Sequence, residues 1–221
     1  MRDEILKYLG YTVDDPTSPV ETFQETSLPQ TGKTVVDEHT EQLIDRALRE
    51  MEELADFKYV YATYDYPQAF MLAHPAYMEY LHGSEGYLLC ATTIGIAVDR
   101  RLKRLQMEDM AYAVVFDATA GAWIERKADE LEKSLPYASL GFRFCPGYQG
   151  TPLEDNLQIA SLVKANKIGI SFLDSGLMIP MKSMTGIVRI GGDGRKSCKG
   201  CVAAEGCTYR ARGTTCYKIN D

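Results

Sequence analysis

Apolar positions along this chain switch between the 3.6-residue spacing of helices and the shorter runs that are typical of strands. Helical spacing predicts a short helix over 3–9 and longer helices over 37–55, 96–105, 107–135 and 153–165. In the second of these, the apolar positions that share one face are Leu43, Ile44, Ala47, Leu48, Met51 and Leu54. In the last, the predicted apolar face holds Leu153, Leu157, Ala160 and either Leu162 or Val163.

Five shorter runs predict strands over 57–64, 86–93, 142–145, 168–173 and 184–190. Helices of uneven length separate them, unlike the regular alternation of a parallel βαβ series. The predicted fold class is therefore α+β, with a mostly antiparallel or mixed sheet.

Three segments depart from these patterns. Residues 67–82 are ambiguous and are predicted to contain a short strand and a helix. Residues 11–35 are rich in Thr, Pro, Ser and Gly, which favours an extended arm or loop over a separate domain. Residues 191–221 form a Cys-rich tail. The predicted organisation is one α+β domain over 1–190, followed by that tail over 191–221.

Composition narrows the possible functions. With 221 residues, 45% of them hydrophobic, the chain can bury one real core, and it holds no apolar run of about 18 residues that would predict a membrane span. The charged start Met1-Arg2-Asp3-Glu4 does not look like a signal peptide, so a cytoplasmic location is expected. A net charge of −7 argues against general nucleic-acid binding.

The run Arg100-Arg101-Leu102-Lys103-Arg104 is a local exception to the acidic balance. Its spacing favours a solvated helix face. The alternative is a docking patch for an acidic partner, such as a flavodoxin-like electron carrier.

The run Arg143-Phe144-Cys145-Pro146-Gly147-Tyr148 combines side chains suited to a small zwitterion. A guanidinium can bind a carboxylate through two parallel hydrogen bonds. Gly147 would let the backbone approach a ligand, and Tyr148 offers a ring and a hydroxyl suited to an aromatic or cationic group. The simpler interpretation is a strand that ends in a Pro-Gly turn with Arg143 on the surface.

This run and its flanks, Gly141-Phe142-Arg143-Phe144-Cys145-Pro146-Gly147-Tyr148, resemble the S-adenosylmethionine segment of the activation domain of cobalamin-dependent methionine synthase. That family carries Arg-x-x-x-Gly-Tyr there. The residues that continue the family's order downstream are Ile168-Gly169-Ile170-Ser171, Asp174-Ser175, Met178, Pro180, Ser183 and Gly186. The whole chain is similar to stand-alone versions of that domain, which implies a curved sheet flanked by helices.

The resemblance implies roles for the residues of this run. Arg143 would bind the methionyl carboxylate of S-adenosylmethionine. The backbone of Cys145, Pro146 and Gly147 would meet the adenosine or the amino group. Tyr148 would lie beside the sulfonium or the transferred methyl group.

Carboxylates on the predicted 107–135 helix add a further candidate. Asp117 and Glu125 fall two turns apart on one face, where solvation and ligand binding are both open. The resembled family has a ligand-binding carboxylate on the corresponding helix. Gly121 stands at that position here, and Glu125, one turn on, is the candidate for binding the cofactor.

The resemblance implies a reactivation function. S-adenosylmethionine would supply a methyl group, and a flavodoxin or ferredoxin an electron, for reductive methylation of cob(II)alamin on a separate cobalamin-dependent methionine synthase or related corrinoid methyltransferase. The sequence Asp37-Glu38-His39 begins like a cobalamin-ligating motif but lacks its Gly and starts a helix with Asp37 as cap. Cobalamin is therefore expected only on the partner, and activity in isolation is not expected.

The tail carries a second chemical signal. Its thiols are spaced C-x2-C-x5-C-x8-C, at Cys198, Cys201, Cys207 and Cys216. Four thiolates suit either zinc or a [4Fe–4S] cluster, although the thiols could also be free or oxidised. Two rival functions follow, namely an iron–sulfur redox activator of a corrinoid protein and a non-catalytic binding module with a zinc-bound tail.

Overall fold

A computed structural model describes residues 1–11 and 36–191, which form seven α-helices and five strands. The helices are α1 Arg2–Tyr8, α2 Glu38–Leu54, α3 Ala69–Leu72, α4 Pro75–Leu81, α5 Ile96–Glu108, α6 Met110–Ser134 and α7 Asp155–Leu162. The strands are β1 Lys58–Tyr64, β2 Gly86–Thr93, β3 Ser171–Phe172, β4 Met178–Ile179 and β5 Ser183–Ile190. The predicted tail and nearly all of the predicted 11–35 arm lie outside these described residues.

The main sheet is antiparallel, with strand order β1-β2-β5. Cys90 in the central strand pairs with Tyr61 on one side and Gly186 on the other. Beyond β5, the chain forms two further antiparallel bridges, Leu140 with Ile190 and Phe144 with Ile187. An antiparallel sheet flanked by helices confirms the predicted α+β class.

Helices cover both faces of this sheet, which is why all eight residues of β2 are buried. Leu89, Ala91 and Ile187 share a core with α3, α4 and α7. On the opposite face, Leu88, Cys90 and Val188 pack against the chain that follows α6. A separate helical core joins α1, α2, α5 and the first two-thirds of α6.

Asp side chains begin two of the long helices. The Asp37 carboxylate accepts the Thr40 N–H at 2.9 Å, so the predicted cap of α2 is confirmed. Asp109 accepts the Tyr112 N–H at 3.0 Å and thereby separates α5 from α6. Although α6 has 25 residues, no helix in the described ranges is long and apolar enough to cross a membrane.

Three predictions of local structure are wrong. The predicted strand over 142–145 is absent, and this segment meets β5 only through the isolated Phe144–Ile187 bridge. Residues 67–82 form the helices α3 and α4 with no strand between them, because Met71, Tyr77 and Tyr80 bury one side of both helices. The predicted strand over 168–173 is short, since residues 165–168 form a 3-10 turn.

The apolar face predicted for the helix over 153–165 is only partly right. Leu153 and Leu157 are exposed, while Ile159, Ala160 and Val163 are buried.

Candidate functional site

A groove of about 540 Å³ runs along α6. Ala118 and Gly121 belong to its α6 wall, Tyr8 comes from α1 and Gln106 from α5. The opposite side is the segment 181–184, which leads into β5. The volume falls in the range of about 300–1,000 Å³ that is usual for small-molecule sites.

The lining of the groove is mostly apolar with a few charges. Met110, Val114 and Met181 are apolar side chains that are more than half exposed there. Contiguous exposed apolar surface is a feature of ligand-binding grooves and interaction sites. The charged lining residues are Asp117, Glu125 and Lys182, so both carboxylates that share one face of α6 reach the groove.

Gly121 separates those two carboxylates by one turn on either side. A Cβ built on it would meet only the Tyr8 ring, at an ordinary contact distance of 3.8 Å. The groove is therefore open at this position.

Arg143 lies under α6, bound to three carboxylates of that helix. Its Nη1 lies 2.5 Å from Glu132 Oε1, and its Nη2 lies 2.7 Å from Glu125 Oε2 and 2.9 Å from Asp129 Oδ1. Sequence reasoning missed Asp129 and Glu132. The available signal was their spacing, since residues 125, 129 and 132 follow one face of a helix.

The guanidinium is buried, with only 4% of the side chain exposed. Burial by itself lowers the pKa of Arg143, but Glu132 and Glu125 outweigh burial, so the net pKa is raised and the group stays charged. Its Nε is buried and has no acceptor in the described part of the chain. Arg143 is thus held by the protein's own carboxylates and keeps one donor unused.

Glu125 connects this buried cluster to the groove. Its carboxylate is 40% exposed, lines the groove and binds Arg143 at the same time. The predicted site residues Arg143 and Glu125 are therefore in direct contact, and Glu125 is the one that faces the space for a ligand.

The segment 145–148 forms a tight turn next to that cluster. Gly147 has φ 95°, and its N–H donates to the carbonyl and hydroxyl oxygens of Thr151 at 3.1 and 3.0 Å. A Cβ there would lie 2.9 Å from a methyl carbon of Leu153. The glycine is therefore required by the turn itself, and Pro146 before it is buried.

Tyr148 follows the turn and is about half exposed. Its ring packs edge-on against Phe144, with 5.9 Å between centroids. Burial, followed by the nearby Cys145, Glu125 and Tyr8, raises the pKa of the Tyr148 phenol to about 12. The hydroxyl is thus a neutral hydrogen-bonding group, and Tyr148 is not among the described residues that line the groove.

Two thiols lie in the described ranges, where Cys90 is buried and Cys145 is partly exposed. Burial raises the pKa of Cys90 and of Cys145 to about 12 each, with Glu132 and Glu125 respectively as the next contributions. Cys90 is thus a small buried residue of the central strand β2.

We expect both thiols to resist iodoacetamide at about pH 8, because alkylation needs the thiolate and access to it. Peptide mass spectrometry of the native protein should find Cys90 and Cys145 unmodified after times that fully alkylate them in urea. Fast native labelling would contradict the burial of Cys90 or, at Cys145, the raised pKa of its thiol.

The predicted four-thiolate metal site, Cys198, Cys201, Cys207 and Cys216, lies outside the described residues. Within residues 1–11 and 36–191, no group of three or more His, Cys, Asp or Glu side chains could hold a metal ion. Zinc or iron–sulfur binding by the tail stays a prediction.

One residue of the basic run on α5 binds a neighbouring helix, and the other basic residues are exposed. Arg101 binds Glu50 of α2 through a 2.8 Å hydrogen bond, while Arg100, Lys103 and Arg104 are exposed. A solvated face is what the structure shows for those three, and a role in docking an acidic protein stays a prediction.

Comparison with known proteins gives structural similarity without sequence similarity. No family model matches the chain, and no curated protein matches it. A similar solved structure is the crystal structure of the MetH reactivation domain bound to AdoHcy, with a TM-score of 0.55 and 15% sequence identity. The match covers 82% of this chain and 75% of that one. The chain thus has a fold similar to that of a MetH reactivation domain.

Proposed function

We propose that this protein binds S-adenosylmethionine in the α6 groove and serves as a reactivation domain for a separate cobalamin-dependent methionine synthase or related corrinoid methyltransferase. The observation that carries the proposal is an open, acidic and partly apolar groove in a fold similar to that of the MetH reactivation domain bound to AdoHcy. The resemblance of residues 141–148 to the S-adenosylmethionine segment supports the same ligand.

The charges of the groove suit this ligand. Asp117 and Glu125 outnumber Lys182, which leaves an excess negative charge along the described lining. S-adenosylmethionine carries a sulfonium, an ammonium and a carboxylate, so its net charge is positive. The exposed Met110, Val114 and Met181 offer an apolar surface for a flat base.

Within this proposal Glu125 binds the ammonium end of the ligand, and Arg143 positions Glu125. Tyr148, on the turn next to the Arg143 cluster, stays the predicted neighbour of the sulfonium or the transferred methyl group. Direct contact between Arg143 and the ligand carboxylate stays a prediction. It requires either the unused Nε donor or displacement of a carboxylate from the guanidinium.

The protein's task in this function is placement. S-adenosylmethionine supplies the methyl group, and the cobalamin of a partner protein accepts it after reduction by a flavodoxin or ferredoxin. A groove that fixes the ligand next to a partner surface lowers the entropic cost of bringing the two reactants together.

Blocking the groove should weaken binding strongly without unfolding the protein. Gly121→Trp places a large ring between Asp117 and Glu125, and we expect calorimetry to show S-adenosylmethionine binding weakened by roughly 100-fold or more, or about 2.7 kcal/mol. The same position offers a matched control, because Gly121→Ala adds only a Cβ with a 3.8 Å neighbour. Gly121→Ala should retain affinity and stabilise α6 by about 0.5–1 kcal/mol.

Failure of the wild-type protein to bind S-adenosylmethionine, alone or with a cobalamin-loaded partner, would remove the proposed function. Equal binding by wild type and Gly121→Trp would move the site away from this groove. The reactivation step itself is measured as methylcobalamin formed on a corrinoid partner supplied with a reducing flavodoxin.

A further inference from the structure

We infer that Asp117, held in place by Lys182, recognises the two adjacent hydroxyls of a ribose. The inference rests on the proposed function and assigns a position to one part of the same ligand. Asp117 lines the middle of the groove, two helical turns before Glu125.

The backbone around Lys182 is fixed on both sides. The Lys182 carbonyl accepts the Ile94 N–H at 3.2 Å, which ties the segment to the end of β2. The preceding N–H, of Met181, donates to the buried Asp99 carboxylate of α5 at 2.6 Å. Lys182 is therefore presented to the groove from a rigid segment.

Its ammonium group in turn fixes Asp117. The Lys182 Nζ lies 2.9 Å from Asp117 Oδ1 and 3.2 Å from the Asp117 carbonyl oxygen. The lysine side chain is mostly buried, at 18% exposure, whereas the Asp117 side chain is 49% exposed. Both residues line the groove, and Asp117 is the more exposed member of the ion pair.

A carboxylate held in this way matches a vicinal diol. An ionised carboxylate has about four acceptor sites, and Lys182 uses one of those on Asp117. Two hydroxyls on neighbouring carbons can donate to its two oxygens, as charge-assisted hydrogen bonds. A second carboxylate would instead meet repulsion from Asp117, so this position disfavours the amino-acid end of the ligand.

The order of surfaces along α6 agrees with this assignment. The helix rises about 1.5 Å per residue, so Asp117 and Glu125 lie about 12 Å apart along its axis. Met110 and Val114 form the apolar surface on the other side of Asp117. The groove thus offers an apolar surface, a diol site and a carboxylate in the order base, ribose and amino acid.

Calorimetry with the full chain can test the inference, using S-adenosylhomocysteine and its 2′-deoxyribose counterpart as probes. Wild type should bind the deoxy probe roughly 10- to 100-fold more weakly, from the loss of a hydrogen bond to a charged group. Asp117→Ala should weaken the ribose probe by a similar factor and should not discriminate between the two probes. Lys182→Met should reduce the ribose-to-deoxyribose affinity ratio, a readout that general loosening of the fold does not move.

Glu53→Ala is the matched control, because it removes an exposed carboxylate of α2 that does not line the groove. Its affinity ratio should equal that of wild type. Equal weakening of both probes by Asp117→Ala or by Lys182→Met would overturn the ribose assignment while leaving the proposed function standing. Absence of binding of either probe and of S-adenosylmethionine by wild type would overturn the proposed function and the inference with it.

Discussion

Arg143→Ala should destabilise the protein by about 3–5 kcal/mol, because it leaves the buried Glu132 carboxylate without its cation. Both side chains are at most 8% exposed, and their closest atoms are 2.5 Å apart. Urea denaturation followed by circular dichroism measures the effect. A loss below about 1 kcal/mol would contradict a buried ion pair at this position.

A second substitution separates lost charge from lost packing. Glu132→Gln combined with Arg143→Met removes both charges and keeps an acceptor for the Tyr59 hydroxyl, which now donates to Glu132 at 2.8 Å. Replacing both members of a buried pair is often nearly neutral, so the double variant should recover most of the lost stability. Recovery of less than half of that stability would point to packing of the arginine stem as the main contribution.

The pH dependence of Arg143→Ala has a definite sign. Burial raises the pKa of Glu132, and Arg143 opposes that shift. Without the arginine the folded-state pKa lies further above the unfolded value. In the variant, the stability that protonated Glu132 contributes is fully present below the unfolded pKa of about 4.5. This contribution is lost as the pH rises from the unfolded pKa through the folded pKa. The deficit relative to wild type should be smaller at about pH 5 than at about pH 8.

This result changes how a binding experiment on Arg143 is interpreted. Loss of ligand binding by Arg143→Ala follows both from a lost contact and from a displaced Glu125. The ligand affinities of wild type and Arg143→Ala should therefore be compared under conditions in which both proteins are folded to the same fraction.

Local sequence patterns predicted most of the helices, because each long helix buries one face and begins at a capping residue. The long helices α2 and α6 bury periodic apolar faces, and Asp37 caps α2 as predicted. The segment 67–82 could not be assigned in the same way. Its apolar side chains are buried by tertiary contacts with α7 and the sheet, and short helices such as α3 carry little periodicity.

For the candidate site, the sequence predicts residue types better than their partners. Arg143 and Glu125, both predicted from the sequence, are in direct contact, with 2.7 Å between Nη2 and Oε2. The three carboxylates around Arg143 come from 11 to 18 residues earlier in the chain, and only the packing of α6 over the sheet brings them together. Lys182 and its partner Asp117 are 65 residues apart, so no local pattern connects them.

Gly186→Ala should disrupt the cluster that Arg143 forms with the carboxylates of α6. The stem of Arg143 crosses Gly186 of β5, and an added Cβ would overlap the Arg143 Cγ and lie 3.0 Å from its Cδ. We expect a loss of about 2–4 kcal/mol in the free energy of unfolding, from overpacking and from displacement of a buried cation. In an Arg143→Ala background the same substitution should cost less than about 1 kcal/mol, because the overlapping atoms are gone.

Gly141→Ala is a matched control, because the segment 141–144 and the strand β5 each place an arginine stem over a glycine of the other. A Cβ on Gly141 would lie 2.5 Å from the Cγ of Arg189, whose guanidinium donates to the carbonyls of Tyr80 and His82 at 3.1 and 3.2 Å. Both variants should lose comparable stability. At equal folded fraction only Gly186→Ala should weaken S-adenosylmethionine binding, because only Arg143 holds Glu125 at the groove. Equal weakening by both would mean that the loss follows from general destabilisation, and that the Arg143–Glu125 pair has no separate connection to the groove.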